Sequence, residues 1–338
     1  MATTDPGIAP FGTLADGTDV QKVTLNDGTL SVAILTFGAI VQDVRLAGVP
    51  HSLTIGTEDM ATYAGPMASA GGLIGPVVNR ISDGSADLDG KTYRFERNQD
   101  GQHTCHAGAA GTHRKVWTLA ERTDTHVELT LTLPDGEGGF PGTRTVTARY
   151  ALTAPGTLEM QVTVTTDAAT WINFANHSYW NLDGTDTYAS HRLTIDAERY
   201  CVPGPGDLAT GEVRSVAGTP YDFRQERTLA PGQDAKLDLN FCLAEARRTP
   251  RQVLTLTGAS GVRMELETTE PGVQIYDAGG IRTGGAVGHH GKTHAAYCAL
   301  AIEAQGWPDA PSHAAFPSTV LRPGETYAQI TRWRFAQT

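Results

Sequence analysis

The sequence predicts an all-β protein, a large antiparallel β-sandwich with very little helix, and three observations carry that expectation. Apolar and polar residues alternate with a period of two in segment after segment of the 338-residue chain. Turn formers punctuate those segments, with 38 Gly and 18 Pro against a charged content of only 19%, a composition of many short strands. Helical patterns are scarce: the best, at residues 58–63 and 243–248, span a turn or two at most.

In chain order, residues 20–25 and 29–35 read as strands on either side of Asn26-Asp27-Gly28, a hairpin signal. Leu88-Asp89-Gly90-Lys91 is a second hairpin turn, leading into Thr92-Tyr93-Arg94-Phe95 with both aromatics on one face. Val127, Leu129, Leu131 and Leu133 alternate with polar partners, as do Val146, Ala148, Tyr150 and Leu152. Leu158, Met160, Val162 and Val164 repeat the pattern, and residues 253–256 and 262–266 extend it. The length accommodates one large all-β domain or two ordinary ones. Without a linker, low-complexity tract or repeat, a single domain over residues 1–338 is expected.

At 40% hydrophobic, a chain this long still buries a sizeable core. Its net charge of -11 and pI near 5.4 argue against nucleic acid and anionic membrane as partners. The start, Met1-Ala2-Thr3-Thr4-Asp5-Pro6-Gly7, has neither a basic nor an apolar leader region, so no signal peptide is expected. No apolar run is long enough for a membrane span. Cys105, Cys201, Cys242 and Cys298 are widely spaced with no CxxC, which points to free thiols and a cytoplasmic setting.

Several stretches carry chemistry. Asn176-His177-Ser178-Tyr179-Trp180-Asn181-Leu182 follows the strand-like Trp171-Ile172-Asn173-Phe174 and sets donors and acceptors among aromatics. That mixture suits a polyhydroxylated ligand, although by itself the stretch reads more simply as a turn cap with His177 bound to backbone. Gly71-Gly72 leads to Asn79-Arg80, but no Lys-Ser/Thr follows and no βαβ unit surrounds it, so it is no phosphate loop. Asn79-Arg80 by itself reads as an internal ion-pair anchor. His103, Cys105, His106 and His113 match no zinc spacing, and no metal is expected. His289, His290 and His294 lie in a Gly-rich loop and read as solvated. Asp238 and Glu303 sit inside apolar runs, where desolvation raises a carboxyl pKa. Ala301, Glu303 and Gln305 share one strand face.

Taken together these residues resemble the aldose 1-epimerase (galactose mutarotase) family. Residues 176–182 resemble its signature around a catalytic histidine, with Trp180 where Phe is usual. Asn79-Arg80-Ile81, His106-Ala107-Gly108 with Gly111 and Trp117, and residues 134–142 follow its order of motifs. So do Asp238-Leu239-Asn240-Phe241, Pro271-Gly272-Val273-Gln274, Glu303-Ala304-Gln305 and Leu321-Arg322-Pro323-Gly324-Glu325. The resemblance implies the galactose mutarotase-like supersandwich with a sugar cleft across one sheet face. It implies Glu303 as general base and His177 as general acid, with His106 beside it, and Asn79, Arg80, Asp238 and Gln274 as substrate-binding residues. It implies no cofactor, a small-molecule sugar as the partner, and a monomer or homodimer. Pro76, Val78, Leu239, Cys105 and residues 275–279 depart from the usual pattern and leave the particular sugar open.

The expected reaction interconverts α and β anomers of a free hexose or pentose, which needs one base, one acid and no redox step. Within the superfamily a different or phosphorylated sugar is the alternative. A phosphosugar calls for extra cations at the cleft, and a total of 26 Lys and Arg argues mildly against it. A non-catalytic sugar-binding module would be expected to lack Glu303 or His177. A glycosidase would use Glu303 and Asp238 as paired carboxylates roughly 5–9.5 Å apart.

Overall fold

The computed structural model describes residues 7–289 and 291–337. Three antiparallel sheets dominate it. The largest has nine strands, in the order Thr118–Arg122, His126–Leu133, Arg144–Ala154, Thr157–Thr166, Tyr327–Gln337, Val262–Thr268, Arg251–Thr257, Arg192–Ile195 and Arg227–Thr228. A six-stranded sheet runs Tyr179–Trp180, Leu300–Gln305, Gly272–Tyr276, Asp238–Cys242, Arg199–Pro203 and Ala209–Ser215. Ile8–Thr13, Asp19–Asn26, Leu30–Leu35 and Val41–Leu46 form a four-stranded meander.

The alternation in the sequence becomes the interior. Val146 pairs with Val164, Ala148 with Val162, Tyr150 with Met160 and Leu152 with Leu158, and all eight are buried. Opposite pairs point to one face of a sheet. One buried apolar cluster joins them to Val32 and Ile34 of the meander and Ile275 and Ile302 of the six-stranded sheet. Each large apolar side chain removed from water there contributes roughly 1.5–3 kcal/mol.

Both hairpin turns form as expected. Gly28 lies at φ 85°, and Asn26 and Asp27 carboxyl or amide oxygens cap the turn's N–H groups at 2.7–2.8 Å. Asp89 (φ 51°) and Gly90 (φ 78°) supply the two left-handed residues of a tight two-residue loop. The helix expected near residue 60 is Met60–Ala64, capped by Asp59 accepting from the N–H groups of Ala61 and Thr62. Residues 243–248 are not helical. The N–H groups of Leu243 and Ala244 both donate to the Pro271 carbonyl, at 2.8 and 3.0 Å, so the backbone is satisfied by a neighbouring strand end. His289 also departs from expectation: its ring is 3% exposed and Nε2 donates to the Gln42 carbonyl at 2.8 Å. His294 is half-buried against Gly56, and His290 lies outside the described residues.

Candidate active site

Strand alternation builds the floor of the cleft. In the six-stranded sheet Asn240, Gln274 and Glu303 stand opposite one another, and Asp238, Tyr276, Ala301 and Tyr179 form the next row. Same-face neighbours follow from the period of two. The intervening Leu239, Phe241, Val273, Ile275, Leu300 and Ile302 point the other way and join the apolar core. One face is therefore oil and the other polar, and Glu303 sits 2% exposed at the polar face.

Residues 170–180 reach this sheet as a broken strap with successive partners. Thr170–Trp171 pairs with Val320–Leu321, Ala175–Asn176 with Leu73–Ile74, and Tyr179–Trp180 with Leu300–Gln305. His177 falls in the gap between the last two pieces. Its N–H donates to Gly72 at 2.9 Å and its carbonyl accepts from Gly71 at 3.0 Å. Asn176 Nδ2 donates to the Gly71 carbonyl at 2.8 Å. Gly71 lies at φ 74°, and a Cβ there would stand 2.4 Å from the Val41 carbonyl oxygen. Gly71→Ala is therefore expected to introduce roughly 1–3 kcal/mol of strain directly behind His177. A lowered denaturant midpoint together with a lower kcat is the expected result; an unchanged midpoint contradicts it.

Trp180 follows the strap to the opposite face, packed on Trp333 and Phe335 at 6.0 and 5.4 Å between ring centroids. Trp180 and Leu239 thus shape the core rather than the cleft. His191, which carries no signal in the sequence, anchors the end of the strap by accepting from the Leu182 N–H at 2.9 Å.

The other wall comes from two short strands, Arg80–Ile81 and Thr104–Cys105. Asn79 (φ 64°) and His106 (φ 53°) are both left-handed, a costly conformation for residues with a Cβ. They hold each other: the His106 N–H donates to the Asn79 carbonyl at 2.8 Å, and the Asn79 N–H donates to His106 Nδ1 at 3.2 Å. A ring that accepts at Nδ1 and is neutral carries its proton on Nε2. His103 turns away to accept from the Asp83 N–H, while His113 is buried edge-on to His106 with ring centroids 6.2 Å apart.

All seven residues singled out in the sequence, Asn79, Arg80, His106, His177, Asp238, Gln274 and Glu303, line one cleft of about 540 Å³. His177 Nε2 lies 3.4 Å from Glu303 Oε1, and both side chains are at most 6% exposed. Asp238 accepts from Gln274 at 2.7 Å and from Arg80 at 3.3 Å, so the ion-pair reading of Arg80 and its place at the cleft hold together. Glu303 Oε2 and Gln274 Oε1 are buried without a hydrogen-bond partner among the described residues, a cost that folded proteins usually avoid away from functional sites. Tyr179, Tyr188, Tyr276, Tyr297, Asp207 and Lys236 also line the cleft. Tyr276 was within reach of sequence reasoning, being two residues from Gln274 on the same face; Asp207 and Lys236 sit outside the strands and had no periodic signal.

Burial dominates the electrostatics. It pushes Glu303 well above the usual carboxylate range, the nearby Asp238 adds to this, and Arg80 partly offsets it. It also pushes His177 down to about 4 and His106 well below the ordinary imidazole range, with His177 contributing. Asp238 is raised by burial and held back by Arg80. Burial thus disfavours a lone charge on either Glu303 or His177.

The sheets and cleft define the class first. The structure superimposes on that of an aldose epimerase homologue from C. elegans with a TM-score of 0.86 and 28% identity, covering 94% of this chain and 99% of that one. It has the same fold as galactose 1-epimerase from Lactobacillus acidophilus, TM-score 0.82, over 98% of both chains. In sequence, the galactose mutarotase of Homo sapiens is 32% identical over 97% of this chain and 98% of its own length. The aldose 1-epimerase of Escherichia coli is 29% identical over 99% of both. The aldose 1-epimerase family profile matches residues 21–334. The chain belongs to the aldose 1-epimerase family and is an isomerase-class enzyme. No helix among the described residues is long and apolar enough to cross a membrane.

Proposed function

We propose that this chain, acting as one domain over residues 1–338, interconverts the α and β anomers of a free galactose- or glucose-type hexose or a pentose. Glu303 is the base and His177 the acid for ring opening. The observation that supports this most is the buried Glu303–His177 contact of 3.4 Å on the floor of a cleft lined by polar side chains.

Opening moves two protons. Ionised Glu303 takes the proton from the C1 hydroxyl, the bond from C1 to the ring oxygen breaks, and protonated His177 gives its proton to that oxygen. The open-chain aldehyde then rotates about C1–C2. Closure on the other face reverses both transfers, so Glu303 ends ionised and His177 protonated. The pair holds one proton throughout, on His177 while the ring is closed and on Glu303 while it is open. Burial, which favours the uncharged pair, stabilises the second arrangement and so favours opening. His106 donates from Nε2 to an oxygen that gains charge, and Arg80 orients and stabilises in the same way. Asp238 accepts from sugar hydroxyls, while Asn79 and Gln274 can donate and accept.

The shared proton sets an expected pH profile. Below the His177 value of about 4 the pair takes up a second proton and Glu303 no longer acts as a base, so kcat/KM falls as pH drops. Above the raised Glu303 value the pair loses its only proton and the rate falls again. Between them the rate is flat. Polarimetric rates, corrected for buffer, are expected to show an acid limb near pH 4; a limb near the ordinary histidine value of about 6.5 contradicts the shared-proton account.

The function itself is tested by polarimetry on freshly dissolved α-anomers of galactose, glucose, xylose and arabinose. At least one is expected to equilibrate faster than buffer allows; acceleration of none rejects the proposal for these sugars. A cytoplasmic setting fits the four free cysteines. The lining residues all come from one chain, so a monomer or homodimer serves equally.

A further inference from the structure

The Arg80 guanidinium meets partners at its tips and at its base. At the tips, Nη2 donates to Asp238 Oδ2 at 3.3 Å and faces Asp207 Oδ2 at 3.7 Å, while Nη1 donates to Asn79 Oδ1 at 3.4 Å. At the base, the Nε–H donates to Gln99 Oε1 at 3.1 Å. Gln99 is half-buried, and its own amide is tied on the other side, where Nε2 donates to the Gly206 carbonyl at 3.0 Å. Turned over, the amide would set its NH₂ against the guanidinium and its oxygen against a carbonyl, so the two partners admit one orientation. The local sequence brings Gln99 to this place. Asp100 (φ 54°) and Gly101 (φ 67°) turn the chain, and Gln99 and His103 exchange backbone hydrogen bonds of 3.0 Å in both directions. Thr104–Cys105 then pairs directly with Arg80–Ile81.

We propose that Gln99 is a positioning residue for the reaction, which sets the plane in which the Arg80 guanidinium meets the sugar. This rests on the reading of Arg80 as a sugar-binding residue. A guanidinium is flat and carries its five N–H donors in a fixed fork, so holding Nε and one terminal nitrogen holds the rest. With Nε on Gln99, Nη1 on Asn79 and Nη2 on Asp238, one N–H on each terminal nitrogen has no partner among the described residues. Those two are what Arg80 has to offer to sugar oxygens. The carboxylates alone would place the fork poorly, because Asp238 and Asp207 stand at 3.3 and 3.7 Å from the same Nη2 and differ little in their pull on it. A turn of the fork toward Asp207 would carry both free donors with it. The bond from Nε to Gln99 opposes that turn at its pivot.

The test uses the full-length wild type, Gln99→Ala, Gln99→Glu, Arg80→Met and the double variant Gln99→Ala/Arg80→Met. Anomer exchange above the buffer rate is followed by NMR on whichever of the four sugars named above the wild type accelerates. Gln99→Ala is expected to lower kcat/KM about tenfold, the weight of one hydrogen bond from a charged donor. Gln99→Glu keeps an acceptor for Nε while giving up the donor to Gly206, and is expected to stay within about threefold of the wild type. Arg80→Met keeps much of the stem and has no side-chain N–H, so adding Gln99→Ala to it is expected to change kcat/KM no further. A second readout needs no sugar. The Arg80 Nε–H resonance, assigned by its loss in Arg80→Met, is expected to exchange with water about tenfold faster in Gln99→Ala than in the wild type. Wild-type kcat/KM in Gln99→Ala overturns the inference, and so does an unchanged exchange rate. Gln99→Glu as poor as Gln99→Ala overturns it by making the Gly206 tie the one that matters. A full tenfold loss in the Arg80→Met background overturns it by showing a general structural effect. If no sugar is accelerated by the wild type, the epimerase reading fails for these sugars, while the exchange rate still decides whether Gln99 holds Arg80.

Discussion

Glu303→Gln is expected to lower kcat by roughly 10²–10⁴-fold while leaving the fold intact. The amide has the shape of the carboxyl group but cannot take the C1 hydroxyl proton. The fold should tolerate it because burial disfavours the charged form of Glu303, and the amide carries no charge to desolvate. The amide can still meet His177 Nε2, now 3.4 Å from Oε1, and stability should change by no more than about 1 kcal/mol, the net value of one hydrogen bond. Kinetics and thermal unfolding of the same preparation check both halves. Full activity in the variant removes Glu303 from the role of base; a collapsed fold shows that its carboxyl group is structural.

His177→Asn is expected to cost a similar roughly 10²–10⁴-fold, with a second signature that loss of packing alone would not give. Without the imidazole, the pair can no longer take up a second proton at His177, so the acid limb expected near pH 4 should disappear from whatever activity is left. Some stability should be lost too. His177 is 5% exposed and packs on Tyr179 and His106, with centroids at 5.0 and 5.4 Å, so a shorter side chain leaves a small cavity in the cleft wall. Retention of the acid limb at the same pH would assign it to another group, and His177 would then be a positioning residue.

How far these roles could be read from sequence depends on the kind of signal. Alternation worked wherever a strand keeps one partner on each side. Leu158, Met160, Val162 and Val164 go inside together, and Gln274 and Glu303 come out on one polar face. It failed at the strap, where partners change every few residues. Trp180 belongs to the stretch that carries His177 yet points into the core, because the strand restarts after the gap. The seven cleft residues were legible only through motifs, since their sequence separations, from Asn79 to Glu303, say nothing about proximity. Asp207 and Lys236 were missed because segments outside the strands carry no periodicity. The burial of His289 was missed for a related reason: a Gly-rich loop suggests solvent, while the Gln42 carbonyl that receives its N–H is 247 positions away.

The account stands on one bond: ring opening breaks the link between C1 and the ring oxygen and leaves the C1 hydroxyl oxygen in place. A carboxylate-pair mechanism built on Glu303 and Asp238 would instead exchange that hydroxyl with water. The most direct measurement equilibrates fresh α-galactose with the enzyme in water labelled with heavy oxygen, following optical rotation and sugar mass on one sample. The account predicts rotation that changes faster than in buffer, with no heavy oxygen entering C1 over the same interval. Label entering at the rate of anomerisation, or rotation no faster than buffer, would contradict it.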